Sequence, residues 1–202
     1  MKEVEIFENN LGQKMEVLNR FRKPRVNAKS SHNMATVKFL DTGTVKEVYV
    51  SNLTEGKVRD DYAISVYGVG YLGLRKKGTQ HYNQAKQLWL NMMKRCYSTK
   101  DTRGYHGAVV VDPRWHCLAT FIEDIQHLEN FEKWVVGNKS SCKYELDKDY
   151  NSNGTVYSRY TCRFTTEYEN RSFGGKNARA WDERYGGTKP QHKILTRDLA
   201  RI

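Results

Sequence analysis

The residues best suited to chemistry lie in one stretch, Leu146-Asp147-Lys148-Asp149, followed by Gly154 and then by Thr165-Thr166-Glu167-Tyr168-Glu169-Asn170. Asp147 and Asp149 are carboxylates one residue apart, and Asn170 adds an amide oxygen. Hard oxygen donors of this kind suit a divalent ion, Mg²⁺ or Mn²⁺, which takes one or two protein carboxylates and keeps its waters for a phosphodiester. For groups so far apart in sequence to meet, the chain must fold back. A strand ending at the acidic residues, a turn at Gly154, a second strand, and a helix capped by Thr165 or Thr166 and running through Asn170 bring the three together. The same residues also read as an acidic turn followed by a capped helix that holds no metal.

Helices are expected to support this segment. Tyr82, Ala85, Trp89, Met92, Met93 and Cys96 recur at helical spacing, and Leu118, Phe121, Ile122, Ile125 and Leu128 mark a second helix over 115–128, with Asp112 and Pro113 as its start signals. Each helix has one apolar face, so the two are expected to pack together, with Trp89, Trp115 and Trp134 as core aromatics. Ala108-Val-Val-Val111 reads as a short strand between them. Cys96, Cys117, Cys142 and Cys162 contain no Cys-x-x-Cys pair and read as reduced, buried thiols.

The first part of the chain is strand-like. Alternating apolar residues at Met15 and Val17, at Ala35, Val37 and Phe39, and at Val45, Val48 and Val50 predict three short strands, the last two joined by a turn at Gly43. So small a sheet needs closure, which suggests a barrel-like, SH3-like module. Between the first two strands Arg20, Arg22, Lys23, Arg25 and Lys29 form a basic run, predicted to be a hairpin loop that grasps phosphate or is simply solvated. Gly68, Gly70 and Gly73 lack the Lys-Ser/Thr of a phosphate-binding loop and read as a linker. The resulting organisation is an α+β chain: a small β module over 1–64, a linker over 65–80, an α+β domain over 81–173 and a basic tail over 174–202.

Lys and Arg number 34 against 23 Asp and Glu, a formal charge of +11, which favours polyanionic partners through counterion release. From Arg171 onward the tail carries Lys176, Arg179, Arg184, Lys189, Lys193, Arg197 and Arg201 against Asp182, Glu183 and Asp198, enough to follow a phosphate backbone without choosing sequence. No apolar run approaches the roughly twenty residues of a membrane span, and a cytoplasmic location is expected.

Taken together, Leu146-Asp-Lys-Asp149, Gly154, Val156-Tyr-Ser158, Thr161-Cys-Arg-Phe164 and Glu169-Asn170 resemble the ββα-metal segment of phage-encoded HNH-type endonucleases. Leu88-Trp89, Met93-x-Arg95-Cys96-Tyr97, Tyr105-x-Gly107, Trp115 and Phe121 are similar to the helical lead-in of those proteins. Phe39-Leu-Asp-Thr-Gly43, Gly56-x-Val58 and Ser65-Val-Tyr-Gly-Val-Gly70 are similar to a small β module that precedes it in some phage relatives.

The resemblance implies a divalent ion at the hairpin and helix, a histidine as general base and an asparagine that orients it. In this sequence Asp147 matches the acidic residue beside the base, Lys148 stands in place of the histidine, Thr161 in place of the orienting asparagine, and Asn170 matches the last position. Two flanking carboxylates favour the ammonium form of a lysine, which is not a base. Three readings follow: another histidine, His106 in Tyr-His-Gly, reaches in; a metal-bound hydroxide acts alone; or activity is lost. On the first two the chain is a DNA endonuclease or nickase of a phage or mobile element, with Asp147, Asp149 and Asn170 at the metal and Arg163 and Arg171 on phosphate. On the third it is a DNA-binding phage protein or an inhibitor of a host protein. Double-stranded DNA is the expected partner, contacted by Arg22, Lys23, Arg25, Arg163, Arg171, Lys176 and Arg179, with no membrane involved.

Overall fold

The computed structural model describes residues 4–24, 26, 30–75, 79, 81–100, 106–137, 143–149 and 154–170. The chain is α+β and divides into two compact units, Met1–Ser65 with Tyr71–Leu74, and Val66–Gly70 with Arg75–Ile202. In the first unit, strands β1 (Ile6–Glu8), β2 (Lys14–Pro24), β3 (Ser31–Phe39) and β4 (Val45–Tyr49) form an antiparallel sheet in sequential order, followed by the short helix α1 (Val50–Thr54). The period-2 pattern places Met15, Ala35, Val37, Phe39 and Val48 on one face, where they are buried with Leu53 of α1 and Val58.

Two expectations are corrected in this unit. The sheet is not a closed barrel: among the described residues β1 and β4 are its edges, and α1 with Val58 covers the apolar face in place of closure. Nor is the first half of the basic run a loop; Arg25 and Lys29 lie outside the described residues. Arg20, Arg22 and Lys23 lie in β2, paired with Ala35, Asn33 and His32, because β2 and β3 continue their ladder as far as Pro24 opposite Ser31. Their alternation with Phe21 is a strand pattern that the density of charge obscures.

In the second unit, α2 (Tyr82–Tyr97) buries Ala85, Trp89, Met92, Met93 and Cys96, the face that the periodicity marks. A 3₁₀ turn (Pro113–His116) precedes α3 (Leu118–Ile125), with Asp112 accepting from the Arg114 amide at 2.9 Å as a cap. The predicted single helix over 115–128 is thus a 3₁₀ turn and a shorter α-helix, and α2 packs on α3. Helix α4 (Phe131–Gly137) follows, its Trp134 ring stacked on Phe164 with centroids 4.8 Å apart. The glycine-rich stretch closes on itself through the Val66–Gly70 bridge. A Cβ on Gly70 would fall 3.0 Å from Trp89 Cη2 and from Met93 Cε, so a larger residue here would crowd the packing of α2. No helix among the described residues is long and apolar enough to cross a membrane.

Asp124 on α3 locks the start of this unit. Its Oδ2 accepts from Trp115 Nε1 at 2.9 Å and from Arg114 Nε at 2.8 Å, and its Oδ1 accepts from Arg114 Nη2 at 3.0 Å. Burial alone would raise the carboxyl, but the bonds from Arg114 and Trp115 outweigh it and hold Asp124 below the usual carboxylate range. Asp124→Ala is expected to cost about 2–3 kcal/mol, chiefly because it strands the buried Trp115 N–H. Because the folded carboxyl is the stronger acid, its contribution is complete above the ordinary carboxylate range and is lost as pH falls through the lowered value. Thermal melting of wild type and Asp124→Asn between about pH 2 and 6 checks this; parallel curves refute it.

Candidate functional site

The candidate site is a hairpin of two strands, β6 (Tyr144–Asp147) and β8 (Arg163–Thr166), leading into a helical turn over 167–170. Tyr144, Glu145, Leu146 and Asp147 pair with Thr166, Thr165, Phe164 and Arg163. Leu146 and Phe164 face the core, where Phe164 stacks on Trp134, so the register is set by burial and leaves Glu145 and Asp147 together on the other face. Between these strands β7 (Val156–Tyr157) runs parallel to β5 (Val110–Val111), and Tyr97 fastens β5: its hydroxyl accepts from Val111 N at 3.1 Å and lies 3.0 Å from His116 Nε2. Burial pushes the His116 imidazole below its ordinary range, which favours a neutral structural partner of Tyr97.

The helix begins as the Thr-x-x-Glu pattern dictates. Thr166 Oγ1 accepts from Glu169 N at 3.1 Å, and Glu169 Oε2 accepts from Thr166 N at 3.1 Å, a reciprocal capping box to which Thr165 Oγ1 adds a bond at 2.8 Å.

Asp147 is only 3% exposed. Its Oδ1 accepts from Asp149 N at 2.9 Å and so shapes the turn, whereas its Oδ2 is buried with no hydrogen-bond partner among the described residues. Burial pushes its carboxyl above the usual range, against the Asp149 amide and the nearby cations Arg163 and Lys148, which act to lower it. Lys148, also buried, places Nζ 2.5 Å from Asp149 Oδ1 and 5.7 Å from the centre of the Tyr157 ring. Gly154 confines this pair: its φ is +77° and a Cβ there would fall 2.6 Å from Asp149 Oδ1. Thr161 is tied into a turn, its Oγ1 donating to Val156 O at 2.8 Å and accepting from Ser158 N at 3.0 Å. Beside it burial pushes the Cys162 thiol up to about 12, which removes it as a nucleophile.

No family model, curated protein or solved structure matches the chain.

Asp147, Lys148 and Asp149 therefore form one cluster, but Asn170 is engaged elsewhere. Its Nδ2 donates to Glu145 Oε2 at 2.9 Å, two residues before Asp147, about 7 Å along the strand. Glu145 is the residue that sequence reasoning missed; its period-2 relation to Asp147 was the available signal. Arg163 stands opposite Asp147, 13% exposed, with Nη1 3.9 Å from Glu129 Oε2. His106 is exposed in the turn before β5, and no hydrogen bond joins it to the hairpin among the described residues. Arg22 and Lys23 belong to the first unit, and Arg25, Arg171, Lys176 and Arg179 lie outside the described residues.

The described residues contain no group of three or more His, Cys, Asp or Glu side chains placed to hold a metal. They do contain one buried carboxylate oxygen without a hydrogen-bond partner, Asp147 Oδ2, with the Asp149 carboxylate two residues away and Arg163 opposite it in the ladder. Two carboxylates two residues apart are the donor type of a hard, largely hydrated ion and do not make a closed protein cage; the buried Asp147 Oδ2 would have to become reachable to hold one.

Proposed function

We propose that this chain is a divalent-metal-dependent DNA endonuclease or nickase of the HNH type, from a phage or mobile element, with an altered centre in which Lys148 replaces the basic histidine. The observation that carries it is Asp147: a carboxylate held at the end of β6, buried, with one oxygen unsatisfied. A protein that needed Asp147 only for its turn would use Oδ1 and gain nothing from the second buried oxygen, so the oxygen left without a hydrogen bond supports a bound cation beside the charges of Arg163 and Lys148. The order of strand, glycine turn, strand and capped helix supports the same reading.

In this mechanism Asp147 and the second carboxylate oxygen of Asp149 would hold the ion, which when bound would supply an activated water and charge neutralisation at the scissile phosphate. The Lys148 ammonium offsets the charge of Asp149, and Asn170 fixes Glu145 on the same face of the hairpin.

Pure protein incubated with supercoiled plasmid should produce nicked circles with Mg²⁺ or Mn²⁺ and none in EDTA. No nicking across metals and salts overturns the proposal. The closed Lys148–Asp149 pair favours a second reading, a non-catalytic DNA-binding protein on the same frame. Its signature is binding that is indifferent to metal and weakens about 10³-fold from 50 to 200 mM salt.

A further inference from the structure

We infer that the outer end of the β2–β3 hairpin is a two-stranded ribbon that enters the major groove of duplex DNA, with Arg22 and Asn33 facing the base edges. The inference deepens the DNA reading of the chain and is independent of cleavage.

The ribbon is a consequence of register. β1 covers β2 only at Lys14, Met15 and Glu16, and β4 covers β3 only from Met34 to Lys38. The β2–β3 ladder continues past both, through Arg22 opposite Asn33, Lys23 opposite His32 and Pro24 opposite Ser31. These three pairs have no third strand beside them among the described residues. Projecting antiparallel ribbons of this width fit a B-form major groove, about 12 Å across.

The charge pattern matches that setting. From Val17 to Leu40 the chain contains no Asp or Glu, while Arg20, Arg22, Lys23, Arg25, Lys29 and Lys38 are all basic. Alternation puts Arg20 and Arg22 on the face that carries Asn33, turned to the groove floor, and Lys23 on the other, where its long side chain can reach back to a flanking phosphate. Within the protein Arg20 is paired with Glu5 at 2.6 Å and Lys23 with Glu47 at 3.0 Å, and all four side chains are more than 40% exposed. Solvated pairs of this kind contribute little to stability and exchange readily for phosphate. Arg22, exposed, has no ion pair among the described residues, and Asn33, also exposed, stands directly across the ladder on the same face. A guanidinium and a carboxamide side by side are the groups that bind guanine O6/N7 and adenine N6/N7 in two-point fashion.

The test is fluorescence anisotropy of the full chain on a duplex of about 20 base pairs in EDTA, over about 50 to 200 mM salt. Arg22→Ala/Lys23→Ala should weaken binding about 10-fold or more and reduce the slope of log K against log salt by about 1, with an unchanged circular dichroism melt. Lys57→Ala, a neutralised cation elsewhere on this unit, should leave both unchanged. Selection from a randomised duplex pool should give wild type a guanine or adenine preference that Arg22→Ala/Asn33→Ala loses, while Arg22→Lys keeps the salt slope. The inference is overturned if the double variant Arg22→Ala/Lys23→Ala binds duplex like wild type, or if wild type binds no duplex. Equal affinity for an RNA duplex, whose deep major groove excludes a ribbon, also overturns it. Failure of the hydrolase proposal shows separately, as absent nicking with binding intact.

Discussion

Asp147→Asn should make the protein more stable and inactive at once. The substitution keeps Oδ1 as acceptor for the Asp149 amide, so the turn at 2.9 Å survives, and it replaces a buried charge with one oxygen lacking a hydrogen bond by a neutral amide. Burial makes the carboxylate the costlier of the two despite the nearby Arg163 and Lys148, and the expected gain is about 1 kcal/mol in metal-free buffer, read by denaturant unfolding. With saturating Mg²⁺ or Mn²⁺ the order should reverse, since wild type alone gains binding energy from the ion. Nicking should fall by about 10²-fold or more, on the scale of losing a principal charge-stabilising group. A loss of activity accompanied by a loss of stability would mean that Asp147 is a structural residue, and the proposed centre would fall with it.

Much of the arrangement around Asp147 was legible in the sequence, and what was not has identifiable causes. The faces of α2 and α3 follow from apolar spacing because burial decides them, and the Thr166 cap follows from a side chain that satisfies orphan amides locally. Helix α4 was not foreseen: seven residues with a single fully anchored aromatic, Trp134, give too short a period to read, and its place is decided by stacking on Phe164. The basic run of β2 looked like a loop because charge outweighs alternation in composition, whereas the ladder with β3 is fixed by Met15, Val17, Val37 and Phe39 further down the same strands. The grouping of Asp147, Asp149 and Asn170 failed at its last member for a geometric reason. In an antiparallel hairpin the helix after the second strand starts beside the beginning of the first, so its first turn meets Glu145 and not the aspartates at the far end.

Lys148→His should raise metal-dependent nicking by about 10²-fold, the lower end of what a positioned general base contributes. Two changes act in the same direction. An imidazole with an ordinary value near 6.5 is largely neutral at physiological pH and accepts a proton, as the ammonium of Lys148 does not. The shorter side chain also gives up the bond to Asp149 Oδ1, freeing this second oxygen of that carboxylate for the ion. Lys148→Ala separates the two, since it frees Asp149 without supplying a base: Mn²⁺ affinity by calorimetry should rise in both variants, and the rate only in Lys148→His. The gain stays at the lower end because Thr161, which would have to orient the new imidazole, is committed to Val156 and Ser158. Equal rates for the histidine and alanine variants would show that no base operates at this position. Unchanged metal affinity in both would show that Asp149 is not a ligand, leaving Asp147 alone to hold the ion.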